Sequence, residues 1–184
     1  VQLSNDDVNM SASNNPWRFY RSTVASLQSD DPIEVASTSS QASPYRHATI
    51  FNKDLILWAD QYQGVVPGIQ AVTPQNAAAS VMTQYDSSVA VRPVVTGRSV
   101  YFASPRTQNF SAVWEATPSG VADSQLIGMD VTSHIPRYIP GPIRFMAGST
   151  TTNILVVGYE GDERTVVVHE YLWSGEEKVH HAWH

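Results

Sequence analysis

The chain has 184 residues, 42% hydrophobic and 10% aromatic, enough for one all-β domain with a real core or for part of a larger one. Charged residues make up only 15%, against about 25% in ordinary globular proteins. The net charge of −6 argues against a protein that grips DNA, which needs Lys and Arg against the phosphates. Cysteine is absent, which excludes disulfides, thiolate metal sites and a Cys nucleophile.

From the N-terminus, residues 1–3 read as a strand end, and residues 4–15 are polar and rich in turn formers. Trp17, Phe19 and Tyr20 follow Pro16 as an aromatic cluster of the kind that plugs a core edge. Residues 33–36 alternate apolar with acidic, as a half-exposed strand does. Residues 37–43 are a Ser/Thr-rich linker.

A first meander follows, with strands at 47–51, 55–58 and 63–66 and a stop at Pro67-Gly68. Residues 69–79 suit a loop, and 81–85 an outer strand or a connection. A second meander has strands at 91–95, 99–103 and 111–116. The stretch 118–141 reads as an insertion, with 125–133 its best candidate for a helical turn and Pro136, Pro140 and Pro142 closing it. A third meander runs through 143–147, 154–159 and 165–172, and 178–183 starts one more strand.

The middle strands of the three meanders begin at Leu55, Ser99 and Ile154, a repeat regular in type and irregular in length. They are apolar on both faces, where a two-sheet sandwich would alternate more cleanly. A small twisted sheet that needs neighbours on both faces is a propeller blade. The expected fold is therefore all-β, with blades of the β-propeller type, as a fragment of a larger protein; a sandwich or barrel is the alternative. The expected division is 1–43 (partial blade and linker), 44–88 (meander), 89–142 (meander with a Pro-rich insertion) and 143–184 (meander and the start of the next blade). The chain lacks an initiator Met and opens in strand-like residues, so a segment of a longer chain is expected.

No run approaches about 18 apolar residues and no export signal is visible, so no membrane span is expected. His180, His181 and His184 form H-H-x-x-H, but on a strand 180 and 184 share a face and 181 points away. The three do not converge on an ion, and no metal or other cofactor is expected. Ser104 precedes Pro105 in turn chemistry, and no G-x-S-x-G elbow occurs. Asp54, Asp60, Glu115, Asp130 and Glu170 are candidate carboxylates for glycoside hydrolysis, each also a common turn former or solvated residue. The arginines are dispersed, although Arg92 and Arg98 flank one turn. Arg18 and Arg21 sit among aromatics, where stacking on Trp17 or Phe19 is expected. No catalytic, cofactor-binding or metal residue is therefore assigned.

Several stretches carry a family resemblance. They are Asp130-Val-Thr-Ser-His-Ile-Pro-Arg-Tyr-Ile139, Ile154-Leu-Val-Val157, Val168-His-Glu-Tyr-Leu172 and Glu177-Lys-Val-His-His-Ala-Trp-His184. Upstream they are joined by Ser29-Asp-Asp-Pro-Ile-Glu-Val35, Asn52-Lys-Asp-Leu-Ile-Leu-Trp58 and Val91-Arg-Pro-Val-Val-Thr-Gly-Arg-Ser-Val-Tyr-Phe102. In this order they resemble the tail tubular protein B, or tail nozzle, family of short-tailed bacteriophages. One departure is visible: Gln63 is followed by Gly64, where the family usually has an aromatic.

The resemblance implies a structural virion protein, not an enzyme. It implies a homo-hexameric ring below the adaptor ring of tail tubular protein A, contact with a tail fibre protein, and transient passage of viral DNA. Virion localisation follows, after assembly in the host cytoplasm. A competing expectation is a glycan-binding or glycan-cleaving propeller at the bacterial surface. For that, Trp58, Tyr62, Tyr101 and Trp114 would supply the aromatic platform and a carboxylate pair the chemistry.

Overall fold

The computed structural model describes residues 1–4, 7–36, 43–120, 124–175 and 177–184. Among these there are strands, turns and loops but no helix. The strands form four antiparallel sheets, and in each sheet every strand pairs with its sequence neighbour. The chain divides into two compact units. One comprises Val1–Tyr85 with Ala122–Gln125, the other Asp86–Val121 with Leu126–His184.

The first unit holds two sheets. One is three-stranded: β1 (Gln2–Ser4), β2 (Asp7–Met10) and β3 (Ile33–Ala36). The expected alternation in β3 is present, with Ile33 and Val35 buried and Glu34 exposed. Strand β2 lies inside the stretch read as turns; Val8 is its one fully buried side chain, too little apolar signal to mark a strand. The second sheet is the meander β4 (His47–Phe51), β5 (Asp54–Trp58), β6 (Gln63–Val66) and β7 (Ser80–Thr83). The two sheets share a core in which Val8, Ile33 and Val35 join Leu57, Val66 and Tyr62. The expected linker lies outside the described residues except for Ser43, whose carbonyl accepts the Tyr62 hydroxyl at 2.9 Å.

The space over Gly64 is taken by an aromatic from elsewhere in the chain. A Cβ there would overlap the hydroxyl of Tyr45, whose ring meets Tyr62 edge-on at 5.4 Å between centroids. An aromatic therefore does occupy this place, supplied by a residue outside the strand.

The second unit holds two four-stranded meanders. The first is β8 (Val94–Thr96), β9 (Ser99–Pro105), β10 (Ser111–Pro118) and β11 (Leu126–Asp130). Strand β11 corrects the helical turn expected at 125–133. It pairs with β10 from Pro118↔Leu126 to Trp114↔Asp130, so part of the apparent insertion is the fourth strand. Apolar residues in both phases at 126, 127 and 129 mimicked a helical face, but Ile127 and Met129 are in fact exposed on an edge strand. The second meander is β12 (Ile143–Ser149), β13 (Ile154–Tyr159), β14 (Val167–Ser174) and β15 (Glu177–Trp183). The strand expected to open a further blade is β15, which pairs with β14 and completes this sheet. The two sheets meet across Tyr101, Val113, Leu155, Val157, Val167 and Tyr171. Gly148 lets β12 approach β8, since a Cβ there would press into Val94 at 2.9 Å.

The aromatic cluster is not a core plug. Trp17 is 88% exposed and Tyr20 71% exposed, in the long connection between β2 and β3. That connection is held by polar contacts instead. The buried Asp31 carboxylate accepts the backbone N–H groups of Gln28 and Ser22, each at 2.9 Å, and these donors hold it below the usual carboxylate range. Arg18 does not stack on its aromatic neighbours. Its guanidinium donates to the Asp30 carbonyl at 3.0 Å and faces the Asp30 and Asp31 carboxylates.

Candidate functional site

The densest set of buried polar groups lies between the two sheets of the second unit. Strand β9 contributes Ser99 and Tyr101, β10 contributes Glu115, β14 contributes His169 and Tyr171, and β15 contributes Lys178. Alternation explains most of this. Val167, His169 and Tyr171 are in phase on β14 and face the core, while Glu170 and Leu172 face outward.

Strand β15 needs one more device. Its pairing with β14 runs His169↔Trp183 and Tyr171↔His181, then slips at Val179 to Trp173↔Lys178. That bulge puts Lys178 on the same face as His181 and Trp183, although an even position on a regular strand would point the other way.

Glu115 is 2% exposed and is saturated by the fold. Ser99 Oγ donates to its Oε1 at 2.7 Å and Tyr101 Oη to the same atom at 2.9 Å. Lys178 Nζ pairs with Oε2. The ammonium also lies 5.1 Å from the Trp173 ring, 5.6 Å from Tyr171 and 5.7 Å from Tyr101, a cage of three π faces. Burial, and then the adjacent Glu115 carboxylate, hold the Tyr101 phenol far above its usual range.

His169 is fully buried, and neither ring nitrogen has a hydrogen-bond partner among the described residues. Its ring stacks on Trp183 at 4.6 Å and lies 6.0 Å from His181, which in turn is 5.5 Å from His134. Burial, followed by the Lys178 charge, pushes His169 from 6.5 down to about 3. Burial and the same ammonium lower His181 as well. A histidine depressed in the folded state binds more protons when unfolded. Its effect on stability is nil above about pH 6.5 and grows increasingly unfavourable as pH falls toward 3.

The other sequence candidates do not gather into a reactive site. Asp54 accepts Gly68 N–H at 2.9 Å and closes a turn. Asp130 pairs with Arg106 and accepts from Thr132, on the face of its sheet opposite to Glu115. Glu170 lies on the outer face of β14, 3.5 Å from His184 Nε2, and Asp60 is exposed. Ser104 makes only a long contact to the Pro105 carbonyl.

His180 and His184 share the outer face of β15 while His181 faces inward. Among the described residues, no group of three His, Cys, Asp or Glu side chains is placed to hold a metal ion. Trp58, Tyr62 and Tyr101 are core residues, each at most 1% exposed, and Trp58 donates to Thr49 Oγ1 at 2.8 Å. They offer no platform to a glycan. Arg18, Arg106 and Arg144 face carboxylates and Arg98 donates to the Gly175 carbonyl, so these four serve local ties.

Sequence reading singled out Glu115 and Tyr101, in separate roles, and missed His169 and Lys178 beside them. His169 was legible, because a histidine in phase with Val167 and Tyr171 must be buried. Lys178 was not, because its direction depends on the bulge.

Comparison with known proteins bears on this arrangement. A family model described as bacteriophage nozzle protein matches residues 1–184. The chain is 31% identical over 181 residues to the tail tubular protein gp12 of Escherichia phage T7. That alignment covers 98% of this chain and 23% of the relative, so the chain spans about a quarter of its length.

Proposed function

Since this chain belongs to the bacteriophage nozzle protein family, whose members are structural tail proteins and not enzymes, we propose that it forms part of the wall of a tail tube. In this reading six copies of the full-length protein close into a ring. The ring sits below an adaptor ring of tail tubular protein A, touches a tail fibre protein, and passes the genome without binding it specifically. The protein is assembled in the host cytoplasm and acts in the virion. Residues 44–88, 89–142 and 143–184 serve as successive blade-like units, with 1–43 a partial one. No metal or cofactor takes part.

The observation that carries this reading is the family match along the whole chain. Physical support comes from two sides. The buried Glu115 carboxylate is taken up by Ser99, Tyr101 and Lys178, so it ties the two sheets of the second unit together. The charge balance also suits a conduit. A wall that held phosphates strongly would trap its cargo, and a segment with net charge −6 and dispersed arginines does not. Head-to-tail contacts that close make a ring, and a ring encloses a channel.

The test uses the full-length protein near physiological salt. Particle averages are expected to show six-fold symmetry, and anisotropy with labelled duplex only weak, non-specific binding. A stable monomer at high concentration would remove the ring. Nanomolar affinity with a steep salt slope would remove the conduit.

A further inference from the structure

Strand β15 is an edge strand, and side chains on its inner face tie it to the sheet opposite. Lys178 reaches Glu115 and Tyr101. His181 meets His134, in the turn that follows β11. Trp183 Nε1 donates to the Val131 carbonyl at 3.1 Å. Between these ties and the body of its own sheet lies His169, sealed under the Trp183 ring. An uncharged imidazole buried in that place, with two more imidazoles leading to the surface, has no evident use in packing that a phenylalanine would not serve.

We propose that β15 is a proton-released clasp: it is shut while the imidazoles of His169 and His181 are uncharged, and protonation of that pair frees this edge strand from the facing sheet.

The charges facing the cluster decide the direction. Around His169 stand Tyr101 from β9, Glu115 from β10, His134 from the turn after β11, Tyr171 from β14, and Lys178 and His181 from β15. His180 and His184 lie on the outer face. Lys178 is a cation already present, so each imidazolium adds like charge to it. Glu115 is the one carboxylate in the group, and its oxygens are taken by Ser99, Tyr101 and Lys178. The Trp183 face attracts a cation, but the His169 nitrogens have no acceptor to replace water. His134 and His181 are exposed, so solvent reaches them before it reaches His169. A charge on His181 then loosens the strand that seals His169. Once wet, His169 returns toward its ordinary value of 6.5 and holds the clasp open.

Amide hydrogen exchange on the full-length protein tests this, with rates corrected for the intrinsic effect of pH. Between about pH 7.5 and about pH 5, exchange in residues 177–183 is expected to rise about tenfold relative to β9 and β10. His169→Phe keeps the ring stack and removes the titration, so most of that rise should vanish. His181→Asn, on the surface and safer for folding, should reduce it. Glu115→Gln should retain a pH-dependent rise on top of a looser strand. A wild-type β15 whose protection does not change over this range would overturn the proposal. So would a rise that persists in His181→Asn and disappears in Glu115→Gln, which would make the carboxylate the trigger.

Discussion

Replacing Glu115 by leucine is expected to destabilise the unit that contains it by about 3–5 kcal/mol, the usual cost of removing one partner of a buried ion pair. The carboxylate is 2% exposed, and Lys178 would be left charged beneath three aromatic rings. Ser99 and Tyr101 would also lose their acceptor. Denaturant unfolding of the full-length protein, followed through the tryptophans, reads the shift in midpoint. The companion change Lys178→Met, combined with Glu115→Leu, should recover most of the loss. What the single variant costs is an uncompensated charge, and the pair itself is worth far less than that penalty. A double variant as unstable as the single would mean that the pair contributes stability outright.

The second large effect belongs to Gly68→Ala, at about 3 kcal/mol. A Cβ at this position would overlap the carbonyl oxygen of Lys53, which is backbone in the turn between β4 and β5. That turn is fixed from both ends, with Asn52 at φ 55° and Asp54 accepting Gly68 N–H. It cannot retreat without breaking the pairing of β5. Gly158→Ala makes the instructive contrast. Its Cβ would overlap the ring of Phe145, but that ring is 49% exposed and can rotate into solvent. A loss below about 1 kcal/mol is expected there. Thermal unfolding of the two variants in parallel checks the ordering; equal losses would show that the Lys53 turn is able to move.

Strands with apolar runs between turn formers were legible in the sequence, as at Leu55 and Ile154, because turn chemistry and β-branched residues agree there. Strands β2 and β11 were not. In β2 the alternation is only two apolar residues long, Val8 and Met10, and in β11 exposed Ile127 and Met129 blur the alternation that marks a strand. Trp17 and Tyr20 misled for a different reason. Aromatic content suggests a core, yet their loop is organised by carboxylate and backbone hydrogen bonds that do not require the rings to be buried. At the polar cluster, period-two phase suffices to bury His169, whereas the slip at Val179 that turns Lys178 inward leaves no mark in the residue pattern.

The neighbour-to-neighbour pairing of the sheets has a kinetic side. Apart from β6 and β7, with their long connection, the hairpins of the three meanders close over short stretches of chain, so little entropy is lost before their hydrogen bonds form, and each sheet can assemble as it leaves the ribosome. The ties from Lys178 are of another kind. They bridge 63 residues to Glu115 and 77 to Tyr101, and they wait for β15 to be synthesised. Until then the Glu115 carboxylate keeps its water, and the second unit is one finished sheet beside a three-stranded one, without the charge that locks them together.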